Sequence, residues 1–358
     1  MSTSTLFEPL TFARGPAWKN RFGLAPLTNQ QSHADGVLSE EEFTWLTMRA
    51  RGGFGMVMTC AAHVQARGQG FPGQLGVWDD KHLEGLTRLA AEIKAQGAVS
   101  SLQLHHAGMR SPADLVDAVV APSADEETGA RALTLEEVEA VRDDFITAAK
   151  RAETAGFDGV EIHGAHGYIL AQFLSSEYNR RDDQYGGSLE NRARIIFEIL
   201  DGIRKTCRAD FQVGIRLSPE RFGQKLSEIK SVYSDLVATG QLDYIDMSLW
   251  DSFKDPAEEE HQDKSLLAHF AELPRGDVRL GVAGKIVDAE HVRAVIEAGC
   301  DFVMIGRAAI LRHDFPDRVK ADPGYTSPVW PLPAEHYLAE GISPDFVEYL
   351  RQTFRMVA

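Results

Sequence analysis

The chain has 358 residues, 44% of them hydrophobic and 25% charged, the balance of a globular protein with material for a sizeable core. Its 37 Lys and Arg stand against 53 Asp and Glu for a net charge of −16, which repels a phosphate backbone and sets nucleic acid aside as a partner. Three scattered cysteines, Cys60, Cys207 and Cys300, encode neither a disulfide framework nor a clustered metal site, and no apolar run reaches leader-peptide or membrane-span length, so a cytoplasmic protein is expected.

Short apolar or β-branched runs alternate with amphipathic stretches along the whole chain, the pattern of repeated strand–helix units. In chain order the strand candidates are 22–26, 55–59, 99–104, 159–163, 212–217, 244–249, 279–282 and 302–305. Most are apolar on successive residues, as parallel strands covered on both faces must be. Helix signals fall between them. Ser39 with Glu42 and Thr134 with Glu137 have capping-box spacing, Asp288 suits an N-cap, and Gly97, Gly156 and Gly299 stand where a helix would end. These units predict an α/β fold, a (β/α)8 TIM barrel, with a doubly wound open sheet as the alternative. No linker rich in Pro, Gly or Ser divides the chain, so a single domain over residues 1–358 is expected. Its long loops are 107–133 and 251–262, and a C-terminal extension covers residues 318–358. The acidic run Glu258-Glu259-Glu260 in the second loop reads as a solvated surface.

Gly68, Gly70 and Gly73 satisfy the dinucleotide spacing GxGxxG. That fingerprint must open directly into a helix, whereas Pro72 interrupts here and the next helix begins near Asp79, so it is set aside. The informative stretch is the end of the fourth strand, His163-Gly164-Ala165-His166-Gly167-Tyr168. Two imidazoles three residues apart and a phenol leave one strand end and its loop, so all three can enter one pocket. A metal site would need a further ligand, and none is evident. As donors the rings need no other partner. Two N–H groups can hold one carbonyl oxygen and stabilise the charge it gains on attack, with the phenol a candidate proton donor. A purely structural turn is the bland alternative.

Other strand ends bring polar groups to the same level: Thr28, Gln103 and Arg216, then Gly284 with Lys285 and Gly306 with Arg307. Loops after the seventh and eighth strands are the usual phosphate site of such barrels, and an Arg inside a strand needs an anion beside it. The set describes a phosphorylated planar cofactor lying across the barrel mouth.

Together with Asn20-Arg21, Ala25-Pro26-Leu27-Thr28, Gln103-Leu104-His105-His106-Ala107-Gly108 and Ile305-Gly306-Arg307, this constellation resembles the old yellow enzyme family of FMN-dependent ene-reductases. The resemblance covers nearly the whole barrel and is most specific from His163 to Arg192, HGAHGYILAQFLSSEYNRRDDQYGGSLENR. It implies FMN as cofactor, NADH or NADPH as reductant, and a small enone-type substrate. Pro26, Leu27 and Thr28 would line the flavin, with the Thr28 hydroxyl near its C4 carbonyl. Ala61 and Gln103 would contact the ring system, Arg216 would face N1 and the C2 carbonyl, and Gly284, Gly306 and Arg307 would bind the phosphate. His163 and His166 would hold the substrate carbonyl while hydride passes to the β carbon, and Tyr168 would protonate the α carbon.

The chain also departs from the family. Thr28 stands where one branch has Cys, Asn29-Gln30 where that branch has Met-Tyr, and Met109 where Arg is common. The resemblance is compatible with a homo-oligomer, with Arg351 and Arg355 the candidates for reaching a neighbour's site. Other readings are a related flavin oxidoreductase acting on one metabolite or nitro compound, a non-catalytic flavin-binding barrel, and a flavin-free lyase. The last needs a strand-end lysine, which only Lys285 supplies.

Overall fold

A computed structural model describes residues 3–358, so the first two residues of the expected domain lie outside the described part. Eight strands close into a barrel with every neighbouring pair parallel. They are β1 (Phe22–Leu24), β2 (Met56–His63), β3 (Val99–His105), β4 (Gly159–Gly164), β5 (Gln212–Leu217), β6 (Tyr244–Ser248), β7 (Arg279–Ala283) and β8 (Phe302–Ile305). Each falls on an expected strand. The open-sheet alternative is overturned by β1, which pairs with both β2 and β8. Strand ends differ from expectation for local reasons. The first stops at Leu24: the Ala25 N–H still reaches Ile305 O, but Pro26 has no N–H with which to extend the ladder. The second continues to His63 past an irregularity between Met58 and Ala61.

Helices α1 (Glu40–Arg51), α2 (Leu83–Ala95), α3 (Leu135–Thr154), α4 (Leu189–Thr206), α5 (Leu226–Ala238), α6 (Ala268–Ala271), α7 (Ala289–Glu297) and α8 (Phe315–Ala321) return the chain after successive strands. Thr134 and Glu137 form the full reciprocal cap of α3, and Asp288 accepts the His291 N–H at α7. The expected box at Ser39 is only half made. Ser39 takes the Glu42 N–H, but the Glu42 carboxylate turns inward to Asn29 and Ser32, where it pins the loop after β1.

The N-terminal end of the barrel is sealed. A turn pairing Leu10 with Trp18 places the buried indole 4.8 Å from the Phe302 ring, and its N–H donates to Gln212 Oε1 at 2.9 Å. Burying an aromatic of this size contributes about 1.5–3 kcal/mol, so the plug is held firmly and chemistry is left to the opposite mouth.

At that mouth the loops are more ordered than their sequence suggests. Gly73, at φ +63°, would set a Cβ 2.6 Å from the Gln30 carbonyl, so these glycines serve close loop packing rather than a nucleotide. The 107–133 loop contains a short turn at Gly108–Arg110 and a small pair of strands, Val120–Ala121 and Arg131–Ala132. In the acidic run, Glu258 accepts the Leu226 N–H at 2.7 Å and so closes the start of α5, which corrects the purely solvated reading. Beyond α8, helices α9 (Ala334–Ala339) and α10 (Pro344–Tyr349) bring the chain back over the mouth. Phe346 of α10 packs edge-on to Trp45 of α1 at 5.3 Å. Buried Arg49 of α1 stacks on Trp45 and donates to the carbonyls of Ala309 and Glu340. Among the described residues no helix is long and apolar enough to cross a membrane.

Candidate active site

A cavity of about 320 Å3 opens at the C-terminal ends of the strands, and every expected site residue lines it: Pro26, Leu27, Thr28, Ala61, Gln103, His163, His166, Tyr168, Arg216, Gly284, Gly306 and Arg307. One side is the strip from Ala25 to Thr28, held in place from behind because buried Asn29 donates to Glu42 and accepts the Gln31 N–H. This explains one departure: Asn29 is a structural anchor, and the aromatic wall is supplied instead by Phe71 and by Tyr349 of α10. Sequence reasoning missed both, and also missed Phe346 and Phe354 of the C-terminal segment and Ser248 and Trp250 after β6. Arg351 and Arg355 are exposed, and Arg351, just beyond α10, pairs with Glu348 three residues back.

The imidazoles sit on a strained turn. His166 and Gly167 are successive left-handed residues, at φ +60° and +69°. The turn is fixed by the His166 N–H on Ser218 Oγ at 2.9 Å and by Arg110, which donates to the His166 carbonyl. Arg110 also lies over the Tyr168 ring at 4.9 Å, while Met109, where the family favours Arg, is buried against Ala121 and Ala130. The side chain next along thus reaches the reactive loop.

Hydrogen bonding assigns the protons. His163 Nδ1 accepts the Ala165 N–H, so its Nε2 carries hydrogen and donates to His166 Nδ1 at 3.2 Å. His166 in turn donates through Nε2 to Ser248 Oγ at 2.7 Å. Burial first holds both rings well below the usual histidine value, reinforced at His163 by the His166 imidazole and Arg216, and at His166 by the Arg216 and Arg110 guanidinium groups. Both are therefore neutral at pH 7, each with one N–H to give.

Beneath them lies a charged layer whose carboxyls, Glu161 and Asp246, were absent from the sequence reading. Arg216 Nε is 3.0 Å from Asp246 Oδ2, though too far out of line for a hydrogen bond, and Gln103 Nε2 donates to Glu161 Oε1 at 2.7 Å. That bond leaves the Gln103 carbonyl oxygen for the cavity. Desolvation, with too little cation to offset it, raises both buried carboxyls above their ordinary values. Across the cavity, Arg307 is half-buried with neither an ion pair nor a hydrogen bond among the described residues, and Gly306 beside it meets only Leu27 at 3.5 Å. Lys285, by contrast, is paired with Asp251 at 2.9 Å. An unpaired guanidinium beside open backbone at one end and a planar slot with polar edge groups at the other suit a phosphorylated flavin.

Comparison with known proteins agrees. Residues 5–323 match the family described as NADH:flavin oxidoreductase / NADH oxidase. Over 326 residues the chain is 39% identical to the Bacillus subtilis protein named "Probable NADH-dependent flavin oxidoreductase YqiG", spanning 88% of this chain and 87% of that one. An NADPH dehydrogenase of the same organism is 32% identical over 336 residues, 88% of this chain and 94% of the other. The solved old yellow enzyme homologue from Zymomonas mobilis matches with a TM-score of 0.80 at 26% identity, over 96% and 99% of the two chains. Some relatives are longer: this chain spans only 36% of the NADH:fumarate oxidoreductase of Klebsiella pneumoniae. The family works with FMN and takes its electrons from NADH or NADPH. The chain belongs to the NADH:flavin oxidoreductase / NADH oxidase family and is an NAD(P)H-dependent flavin oxidoreductase of the old yellow enzyme type.

Proposed function

We propose that the protein is a cytoplasmic ene-reductase, a single FMN-binding barrel domain over residues 1–358 that reduces the activated C=C bond of a small α,β-unsaturated carbonyl compound. The observation that carries this reading is the pair of neutral imidazoles, His163 and His166, each with a donor N–H beside the Tyr168 phenol on the wall of one cavity. Arg307, Gly284 and Gly306 would hold the FMN phosphate, Pro26, Leu27, Thr28 and Ala61 would flank the ring system, and Gln103 and Arg216 would meet its pyrimidine edge. The chemistry supplied by bound FMN is acceptance of hydride from NAD(P)H and its delivery to the substrate β carbon.

The side chains do the rest. A substrate oxygen replaces His166 Nδ1 and Ser248 Oγ as acceptor of the two imidazole N–H groups, and these donors stabilise the negative charge that grows on it. Tyr168 gives its proton to the α carbon. The lining cations bear on substrate choice: Arg216 is engaged by Asp246, Lys285 by Asp251, and Arg307 by the phosphate, so none is left for a substrate carboxylate. A neutral carbonyl compound fits better than the acids named for the fumarate and acrylate relatives.

The test is the double variant His163→Ala/His166→Ala. It should retain bound flavin and its reduction by NAD(P)H while losing ene reduction by roughly 10²-fold or more, the scale of removing oxyanion donors. An unchanged rate on 2-cyclohexenone would refute the assigned role. Tyr168→Phe should slow only the substrate half-reaction.

A further inference from the structure

Arg216 and Gln103 line the cavity, and two carboxyls lie behind them. Glu161 and Asp246 are fully buried, on β4 and β6, and Arg216 of β5 lies between them in the barrel order. The register sets Glu161 beside Gln103 and Asp246 beside Arg216. Glu161 Oε2 and both Asp246 oxygens lack a hydrogen-bond donor. Among the described residues Arg216 is the one cation that bears on both carboxyls. From β3 come Ser101 and Gln103, from β6 the un-ionised Tyr244 phenol, from β4, two residues beyond Glu161, the neutral His163, and the remaining strands bring Met56, Met58, Phe302 and Met304. The nearby Asp243 is engaged by Arg14 and Arg204.

We infer that Glu161 is a proton-binding site coupled to the flavin: over an alkaline range it takes a proton from solvent when FMN is reduced and returns it when FMN is reoxidised. The inference rests on the placement of the flavin edge over Gln103 and Arg216. The charge balance is explicit. NAD(P)H loses a hydride and becomes NAD(P)+, and the flavin gains two electrons, one proton and one net negative charge. Arg216 alone then faces three anions in a desolvated layer if Glu161 stays ionised. One further proton forms an O–H bond on Glu161 and lowers that number to two. The raised titration of this carboxyl shows the same imbalance before any reduction. Glu161 is thus a positioning residue for the cofactor, acting through Gln103 and the field of Arg216.

The experiment is redox titration of the FMN holoenzyme over a range of pH. With its reduced flavin anionic, wild type should take up one proton per electron pair near neutral pH and two over an alkaline stretch. That stretch begins where Glu161 deprotonates in the oxidised enzyme and ends where it does so in the reduced one. Glu161→Gln should give one proton per pair throughout that range. Independently of any variant, infrared difference spectra of wild type within the stretch should gain a protonated-carboxyl C=O band on reduction, sensitive to D2O. A wild-type slope of one proton throughout, or no such band, overturns the proposal. Gln103→Leu separates the two readings. If it moves the potential while wild type shows one proton, the flavin placement stands and the proton site fails; if it leaves the potential unmoved, the placement itself is wrong and the inference falls with it.

Discussion

Truncating Phe346 to Ala should loosen the lid more than the barrel. The ring is fully buried, edge-on to Trp45, and also forms part of the cavity wall. Deleting a core Phe costs about 3–5 kcal/mol, because the packed neighbours close the void only in part. Tyr337, Ile342, Leu350 and Met356 still dock the segment, each almost without exposure. The loss should therefore appear as local opening of residues 334–358, more frequent by roughly 10²-fold to a few thousandfold at about 1.4 kcal/mol per tenfold. Native-state hydrogen exchange on the FMN-loaded enzyme reads it directly, with FMN dissociation as a second measure expected to accelerate. Exchange in 334–358 that rises no more than in the barrel strands would refute the reasoning, because the segment would then be one cooperative unit with the barrel.

Arg307→Ala should weaken FMN binding by about tenfold to a hundredfold, the loss of one charge-assisted contact of about 1.5–3 kcal/mol, and leave riboflavin binding unchanged; flavin fluorescence titration decides. Gly167→Ala places a methyl 2.7 Å from the Phe222 ring at φ +69°, so turnover should fall sharply while flavin absorbance stays, and a normal kcat would count against the turn's role. Burial raises the Glu340 carboxyl, but hydrogen bonds from His313 and Arg312 outweigh that and hold it down at about 2. Its folded value is below its unfolded one, so its contribution is present above the ordinary glutamate range and lost as pH falls toward 2. Glu340→Gln should thus melt lower than wild type at pH 6, with the gap closing in acid.

The barrel was legible because buried parallel strands are continuous apolar runs and because the groups at their ends are chemically unusual. The cavity-lining polar residues were legible for the same reason, since His163 to Tyr168 and Arg216 have no place in an ordinary strand. The charged floor carried a weaker signal that could have been found: Glu161 is two residues before His163, and Asp246 two before Ser248, on the same inward parity. The aromatic lid left none. Phe346 and Tyr349 belong to a short amphipathic helix that reads like any other, and only long-range packing against Trp45 brings them to the mouth. Arg110 was hidden by one position, since the Arg expected at 109 is displaced along the chain and arrives at the same turn by a different path.

Arg49 joins two parts of the site that look separate. Its guanidinium grips Ala309 O, within the helix that begins at Arg307, and Glu340 O, at the end of α9. The proposed phosphate anchor and the aromatic cover therefore share one buried side chain, so a change at Arg49 should disturb both ends of the chamber. A dephosphorylated flavin that leaves Arg307 idle would be expected to occupy a draughtier chamber, and the order in which the pieces lock would be set from α1, on the outside of the barrel.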